Sequence, residues 1–191
     1  MKILILSTVW PEPTSTAAGS RMLQILKTFL EQNWELVYAS TAAESEFCID
    51  FNALGIKAAQ IQVNDSGFDS FVSGLNPDLV LYDRFMCEEQ FGWRVSEQCP
   101  GAMRILDTED LHCLRRGRHL ALGEERDFEE ADLFNEIAIR ELASIHRCDL
   151  SLMISEYEYA LLQRVFKMNA SKLMYLPFMV DQFSNGMTWA E

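Results

Sequence analysis

The chain has 191 residues, 49% of them hydrophobic, with a formal net charge of −13 and a sequence pI near 4.6. That length fills one core, and an acidic surface repels phosphate backbones and anionic headgroups, which argues against nucleic acid as a partner. No stretch approaches the ~20 apolar residues of a membrane span, and the apolar N-terminus, residues 1–6, is too short for a signal peptide.

The first predicted element is residues 2–8 (KILILST), a continuous apolar run of the kind buried on both faces of a sheet. Apolar residues at helical spacing (Met22, Leu23, Ile25, Leu26, Phe29, Leu30) predict a helix over 19–32. Residues 35–40 (ELVYAS) form the second strand, and 50–54 a short helix ended at Gly55. Residues 58–63 (AAQIQV) form the third strand, and 68–75 a helix broken by Asn76-Pro77-Asp78. Then come strand 79–82 (LVLY), helix 88–98 and strand 104–106 (RIL). The Arg- and Glu-rich stretch 111–147 reads as helical with a break near Gly123, and the charges of 124–141 read as a solvated face. Residues 150–154 (LSLMI) form the sixth strand. Ser155 is an N-cap with Glu158 completing a capping box, for a helix running to about Phe166. Residues 172–176 (KLMYL) form the seventh strand, stopped by Pro177. Strands alternating with helices predict an α/β Rossmann-like three-layer sandwich, with a mostly parallel sheet of about seven strands.

The five cysteines are scattered and show no CxxC, so buried free thiols in a reducing cytosol are expected, and with them a cytoplasmic protein. No spacing suits a metal, and none is expected. Neither GxGxxG nor GxxxxGK[ST] is present.

Ligands of open α/β sheets bind outside the carboxyl ends of the strands, which draws attention to the first turn. Pro11 and Pro13 stiffen the exit from the strand. Ala17, Ala18, Gly19 and Ser20 let a ligand approach the backbone, the helix N-terminus suits a phosphate, and Arg21 adds a full charge if it points outward. An ordinary strand-to-helix turn, small for packing, is the competing reading. The later strands end in Asp83-Arg84, in Asp107-Thr108-Glu109-Asp110-Leu111-His112 and in Ser155-Glu156, which share one edge if the sheet is parallel. A carboxylate there can take a hydroxyl proton or grip sugar hydroxyls, and His112 can act as acid or base. Capping by Asp107 or Asp110, and a structural Asp83–Arg84 pair, stand as the structural alternatives.

In order and spacing these features resemble the N-terminal half of a GT-B glycosyltransferase of the family 4 type, which is retaining and nucleotide-sugar-dependent. The residues that carry the resemblance are Met1-Lys2-Ile3-Leu4-Ile5-Leu6-Ser7, the turn from Pro11 to Gly19, and the helix with Met22, Leu23 and Leu30. They continue with Trp34-Glu35-Leu36-Val37 (the family's GHEV), Pro77-Asp78-Leu79-Val80, Ser155 to Glu158 (S-x-x-E) and Leu176-Pro177-Phe178-Met179-Val180-Asp181 (I-P-N-G-V-D). The match covers nearly the whole chain. It departs from the family at Ala18-Gly19, where Gly-Gly is usual, at Phe178-Met179, where Asn-Gly is usual, and after the fifth strand, where Asp107 to Asp110 occupy the place of a histidine and His112 comes later.

The resemblance implies an acceptor-binding domain at 1–181, with 182–191 a tail where a donor-binding domain begins in the family. The parent activity would move a sugar from a nucleotide-diphosphate sugar to a hydroxyl acceptor with retention, weakly or not at all in this half alone. Ala18, Gly19, Ser20 and Arg21 would face the donor, and Asp107, Asp110 and His112 would be catalytic. Asp83, Arg84, Glu109, Ser155 and Glu156 would contact the substrate. The expected partners are a sugar or glycan acceptor, a C-terminal donor-binding domain in cis or trans, and a second copy in a homodimer, with no covalently bound cofactor. A non-catalytic binding or regulatory domain and a stand-alone nucleotide- or flavin-binding domain remain the alternatives.

Overall fold

The computed structural model describes residues 1–179. Val180-Asp181 and the expected boundary with its tail at 182–191 lie outside the described residues. Seven strands, β1 (Lys2–Ser7), β2 (Glu35–Ser40), β3 (Lys57–Gln60), β4 (Leu79–Asp83), β5 (Met103–Asp107), β6 (Leu150–Met153) and β7 (Leu173–Tyr175), form one sheet. Its order is β3-β2-β1-β4-β5-β6-β7 and every pairing is parallel. The helices are α1 (Ala17–Glu31), α2 (Gly67–Leu75), α3 (Phe85–Gln98), α4 (His112–Gly123), α5 (Glu136–Arg147) and α6 (Glu156–Arg164).

The apolar run of β1 sits at the centre of the sheet, and alternation divides it between two cores. Ile3 and Ile5 face α1 with Met22, Ile25 and Leu26. Leu4 and Leu6 face the side where α2 to α6 lie, with Val72, Phe91, Val95, Leu114, Ile145 and Leu162. The layers are therefore unequal. Among the described residues one helix, α1, lies on its face of the sheet, and over β4 to β7 it leaves an apolar groove of about 200 Å³ lined by Ile25, Phe29, Ile105, Leu152, Met174 and Met179. No helix among the described residues is long and apolar enough to cross a membrane.

The structure differs from the sequence reading at several ends. Residues 51–55 are turns, not a helix: Ile56 N–H bonds Phe51 O across 2.9 Å, Gly55 takes φ 70°, and so short a loop closes on itself before a helix can propagate. It serves to bury Phe51 against Trp10 and Tyr38, at ring separations of 5.5 and 5.1 Å. β3 ends at Gln60 because, as an edge strand, it has only β2 to pair with, through Ser40↔Gln60. α3 starts three residues earlier than its spacing predicts, at Phe85, since β4 passes into it through Arg84 alone, at φ 70°. The break after Gly123 extends to Asn135 and contains a short 3-10 helix, Glu130–Leu133, against which α4 packs at Gly117. Ser155 does cap α6, accepting from Glu158 N–H at 3.4 Å, but the Glu158 carboxylate turns away to accept from Leu111 N–H at 3.2 Å, so half the expected capping box is missing.

Candidate functional site

β1 leads outward through β2 to β3, and β4 leads the other way to β7, so the topological switch point lies between β1 and β4. A pocket of about 300 Å³ opens there at the carboxyl ends of the strands. Val9, Trp10, Pro11 and Glu12 of the first turn, Ala18, Gly19 and Met22 of α1, Tyr38 of β2, and Asp83 and Arg84 line it. The walls are ordered by hydrogen bonds: Trp10 Nε1 donates to Ala42 O at 2.8 Å, and Tyr38 Oη to Val9 O at 3.1 Å.

The first turn is small for reasons of its own packing. A Cβ on Gly19 would stand 2.5 Å from the backbone N, C and O of Glu12, so α1 reaches the turn only with glycine at that position. Thr16 caps the helix and takes the Gly19 N–H at 2.9 Å, while Ser20 Oγ donates to Pro13 O at 2.8 Å. Of the four residues read as donor contacts, Ala18 and Gly19 line the pocket and Ser20 does not. Arg21 must be corrected. It is fully buried and points inward, with Nε 3.1 Å from Asp107 Oδ2, Nη2 3.0 Å from Asp107 Oδ1, and Nη1 donating to Leu176 O at 2.8 Å. It ties α1 to β5 and to the chain leaving β7, and is spent as an anion ligand.

Asp107 is corrected with it. It is wholly buried, and its two oxygens face Arg21 rather than the pocket. Burial pushes its pKa up and the Arg21 guanidinium pulls it back. Asp83, 4% exposed, accepts from Ser7 Oγ at 2.5 Å through Oδ2; its Oδ1 has no hydrogen-bond partner and lies 3.8 Å from Arg84 Nε. The Asp83–Arg84 pair is thus long and leaves an acceptor free. Arg84 N–H donates to Asp107 O at 2.8 Å, which locks the two strand ends together. Glu109, 7% exposed and held at φ 62°, has a buried Oε1 with no partner. Burial first, then the charges of Asp107 and Asp83, raise its carboxyl to about 7. Strained backbone together with an unmet buried acceptor is a combination found at functional sites.

The remaining candidates stand apart. Asp110 forms a bidentate pair with Arg115 on the surface. His112, the first residue of α4, packs edge-on against Phe85 with ring centroids 5.3 Å apart, and its Nδ1 lies 3.2 Å from Asp110 O and 3.5 Å from Glu141 Oε1. Neither lines the pocket at the switch point, nor do Asp107 and Glu109, so of the strand-end carboxylates named from the sequence only Asp83 is on its lining. Ser155 is committed to capping α6, and Glu156 sits in its first turn, where a carboxylate favours the helix dipole. Sequence reasoning missed Glu141, placed on a solvated face: it is 1% exposed and accepts the N–H groups of His112 and Cys113, both at 3.0 Å. Together with Glu158 it caps α4 from two other helices, a role no local pattern announces. Ser7, Trp10 and Tyr38 were also missed as site residues, because strand and turn apolarity hides them. Among the described residues no group of three or more His, Cys, Asp or Glu could hold a metal ion.

With pocket and topology described, the chain's likenesses can be placed. No protein-family model and no curated protein matches it. Among solved structures it is similar to the apo form of the lipopolysaccharide outer core galactosyltransferase WaaB, with a TM-score of 0.60 and 14% identity over 95% of this chain and 47% of that one. It is similar to the UDP-GlcNAc 2-epimerase from Methanocaldococcus jannaschii, with a TM-score of 0.55 and 13% identity over 92% of this chain and 45% of that one. It is also similar to an alpha-glucosyltransferase in complex with UDP-glucose and DNA containing an abasic site, with a TM-score of 0.55 and 13% identity over 95% of this chain and 43% of that one. The fold is one half of the GT-B architecture. The chain spans slightly under half the length of each of these structures.

Proposed function

We propose that the chain is the acceptor-binding half of a retaining glycosyltransferase, which moves a sugar from a nucleotide-diphosphate sugar to a hydroxyl acceptor. The observation that carries this reading is the pocket at the switch point of a half GT-B fold, with an orphaned carboxylate oxygen of Asp83 on its lining. In this reading an acceptor ring lies against Trp10, Met22 and Tyr38, a hydroxyl donates to Asp83, and Arg84 donates in return. The donor diphosphate approaches the start of α1 beside Ala18, where the first helical N–H groups lack intrahelical partners. Stabilising the departing diphosphate takes a second, donor-binding half in cis or trans, so the half alone is weak or inactive. The apolar groove over β4 to β7 supports completion of the unit by a further segment. A cytoplasmic location and a homodimer belong to the same proposal.

The test is transfer by the complete gene product from UDP-galactose, UDP-glucose and UDP-N-acetylglucosamine to a panel of glycosides. The expected result is a glycoside product of retained anomeric configuration that is lost in Asp83→Asn. Absence of transfer from every donor, or transfer untouched by Asp83→Asn, refutes the assignment.

A further inference from the structure

The pocket at the switch point offers few hydrogen bonds to an occupant. Six of the residues that line it carry polar side-chain N or O atoms, and three of these are spent on the chain's own backbone. Trp10 Nε1 donates to Ala42 O, and Tyr38 Oη to Val9 O. Thr16 Oγ1 accepts the Gly19 N–H and donates to Glu12 O. Glu12, which accepts from Ser45 Oγ, and Arg84 are both partly exposed, so they meet water at the rim. Asp83 is different: it is 4% exposed, with Ser7 Oγ on Oδ2 and no partner on Oδ1. Among the described residues it is the only one on this lining with a buried, unpartnered side-chain N or O atom. The wall around it is aliphatic or thioether at Val9, Met22, Ala42 and Ala43, and aromatic at Trp10 and Tyr38.

We propose that this pocket takes a phenol, its ring enclosed by the apolar wall and its single hydroxyl donating to Asp83 Oδ1. This rests on the reading of the pocket as an acceptor site, and narrows the acceptor to compounds that carry the hydroxyl on an apolar ring. A sugar ring bears a hydroxyl on nearly every carbon. Each one enclosed here beyond the first gives up water without gaining a partner, which costs binding. A phenol has one hydroxyl to place. Its hydrogen is more acidic than that of an alcohol, which strengthens its bond to a carboxylate, and burying its ring against apolar side chains is favourable. A sugar attached to the far side of that ring stays at the rim beside Glu12 and Arg84, where water reaches its hydroxyls. A phenol carried as the aglycone of a glycoside thus suits the whole pocket, ring inside and sugar outside.

The experiment is calorimetric titration of the full chain with methyl glucoside, p-hydroxyphenyl glucoside and p-methoxyphenyl glucoside, all of one anomeric configuration. The p-hydroxyphenyl compound is expected to bind at least about ten-fold tighter than either of the others. In Asp83→Asn the introduced amide keeps its oxygen on Ser7 Oγ and turns its NH2 to the pocket, a donor in place of an acceptor, so the preference for hydroxyl over methoxy disappears. Methyl glucoside bound as tightly as the p-hydroxyphenyl compound overturns the phenol assignment and leaves the acceptor reading standing, with sugar hydroxyls carrying recognition. Equal binding of the two aryl glucosides, or a preference that survives Asp83→Asn, overturns it as well, since the ring then binds without Asp83. Binding of none of the three overturns the acceptor reading together with it. Should Asp83→Asn not fold, the carbon-13 resonance of the Asp83 carboxyl in the unsubstituted chain decides. It must move with p-hydroxyphenyl glucoside and stay in place with p-methoxyphenyl glucoside; a resonance unmoved by the first, or moved alike by both, overturns the proposal.

Discussion

Glu109→Gln keeps the shape of the side chain and removes its titration. In the native state the carboxyl is raised from 4.5 to about 7, by burial first and then by Asp107 and Asp83. Between those values the native state holds a proton that the unfolded chain has released. Wild-type stability therefore falls as pH climbs from 4.5 to about 7, and the full penalty stands above 7. A shift of roughly 2.5 units at 1.36 kcal/mol each gives about 3 kcal/mol as an upper figure, and screening by solvent lowers it to about 1–3 kcal/mol. At pH above 7, Glu109→Gln should thus be more stable than wild type by about 1–3 kcal/mol, a rise in Tm of very roughly 2–10 °C for a chain of this size. Below pH 4.5 the two should coincide, since both side chains are then neutral in both states. Urea unfolding followed by tryptophan fluorescence, repeated across that pH range, measures the difference. A gap that is constant with pH, or one that favours wild type in alkali, would refute the argument.

Three further substitutions probe the frame around the pocket. Arg21→Ala leaves Asp107 buried without its partner and frees the carbonyls of Leu176 and Pro177, and should lower stability by about 3–5 kcal/mol in urea unfolding. Gly19→Ala forces a methyl into the Glu12 backbone and should cost about 1–3 kcal/mol, with amide shifts in NMR spectra concentrated at residues 12–20. Glu141→Ala strips two charge-assisted acceptors from the start of α4; it should lower stability by about 2–4 kcal/mol and speed hydrogen exchange at His112 and Cys113 far more than at the β1 amides.

Much of the fold can be read along the chain because its signals are local. β1 shows as a continuous apolar run because both its faces are buried, and α1 shows as a 3.6-residue stripe because one face packs on the sheet. Boundaries were lost where a local pattern was cut short by a neighbour, as in the edge strand β3, or where strand and helix join through one residue, as at Arg84. The candidate site was legible as a set of strand ends, since a parallel sheet brings all carboxyl ends to one edge.

Which side chains meet at that edge is another matter. Arg21 reads as an exposed cation after a small turn, and Asp107 as a free carboxylate; the folded chain joins them across 86 positions and removes both from the surface. Glu141 reads as a solvated helix acid and Glu158 as half of a local capping box, yet each is desolvated to cap a helix that lies elsewhere in the sequence. Glu109 looks no different from Asp110 two peptide bonds from Thr108, but one is orphaned in the interior and the other is paired with Arg115 outside. Periodicity and propensity determine elements because they act between residues a few positions apart. Burial, charge balance and unmet hydrogen bonds depend on which distant groups are brought together, and for this protein only the tertiary structure decided that.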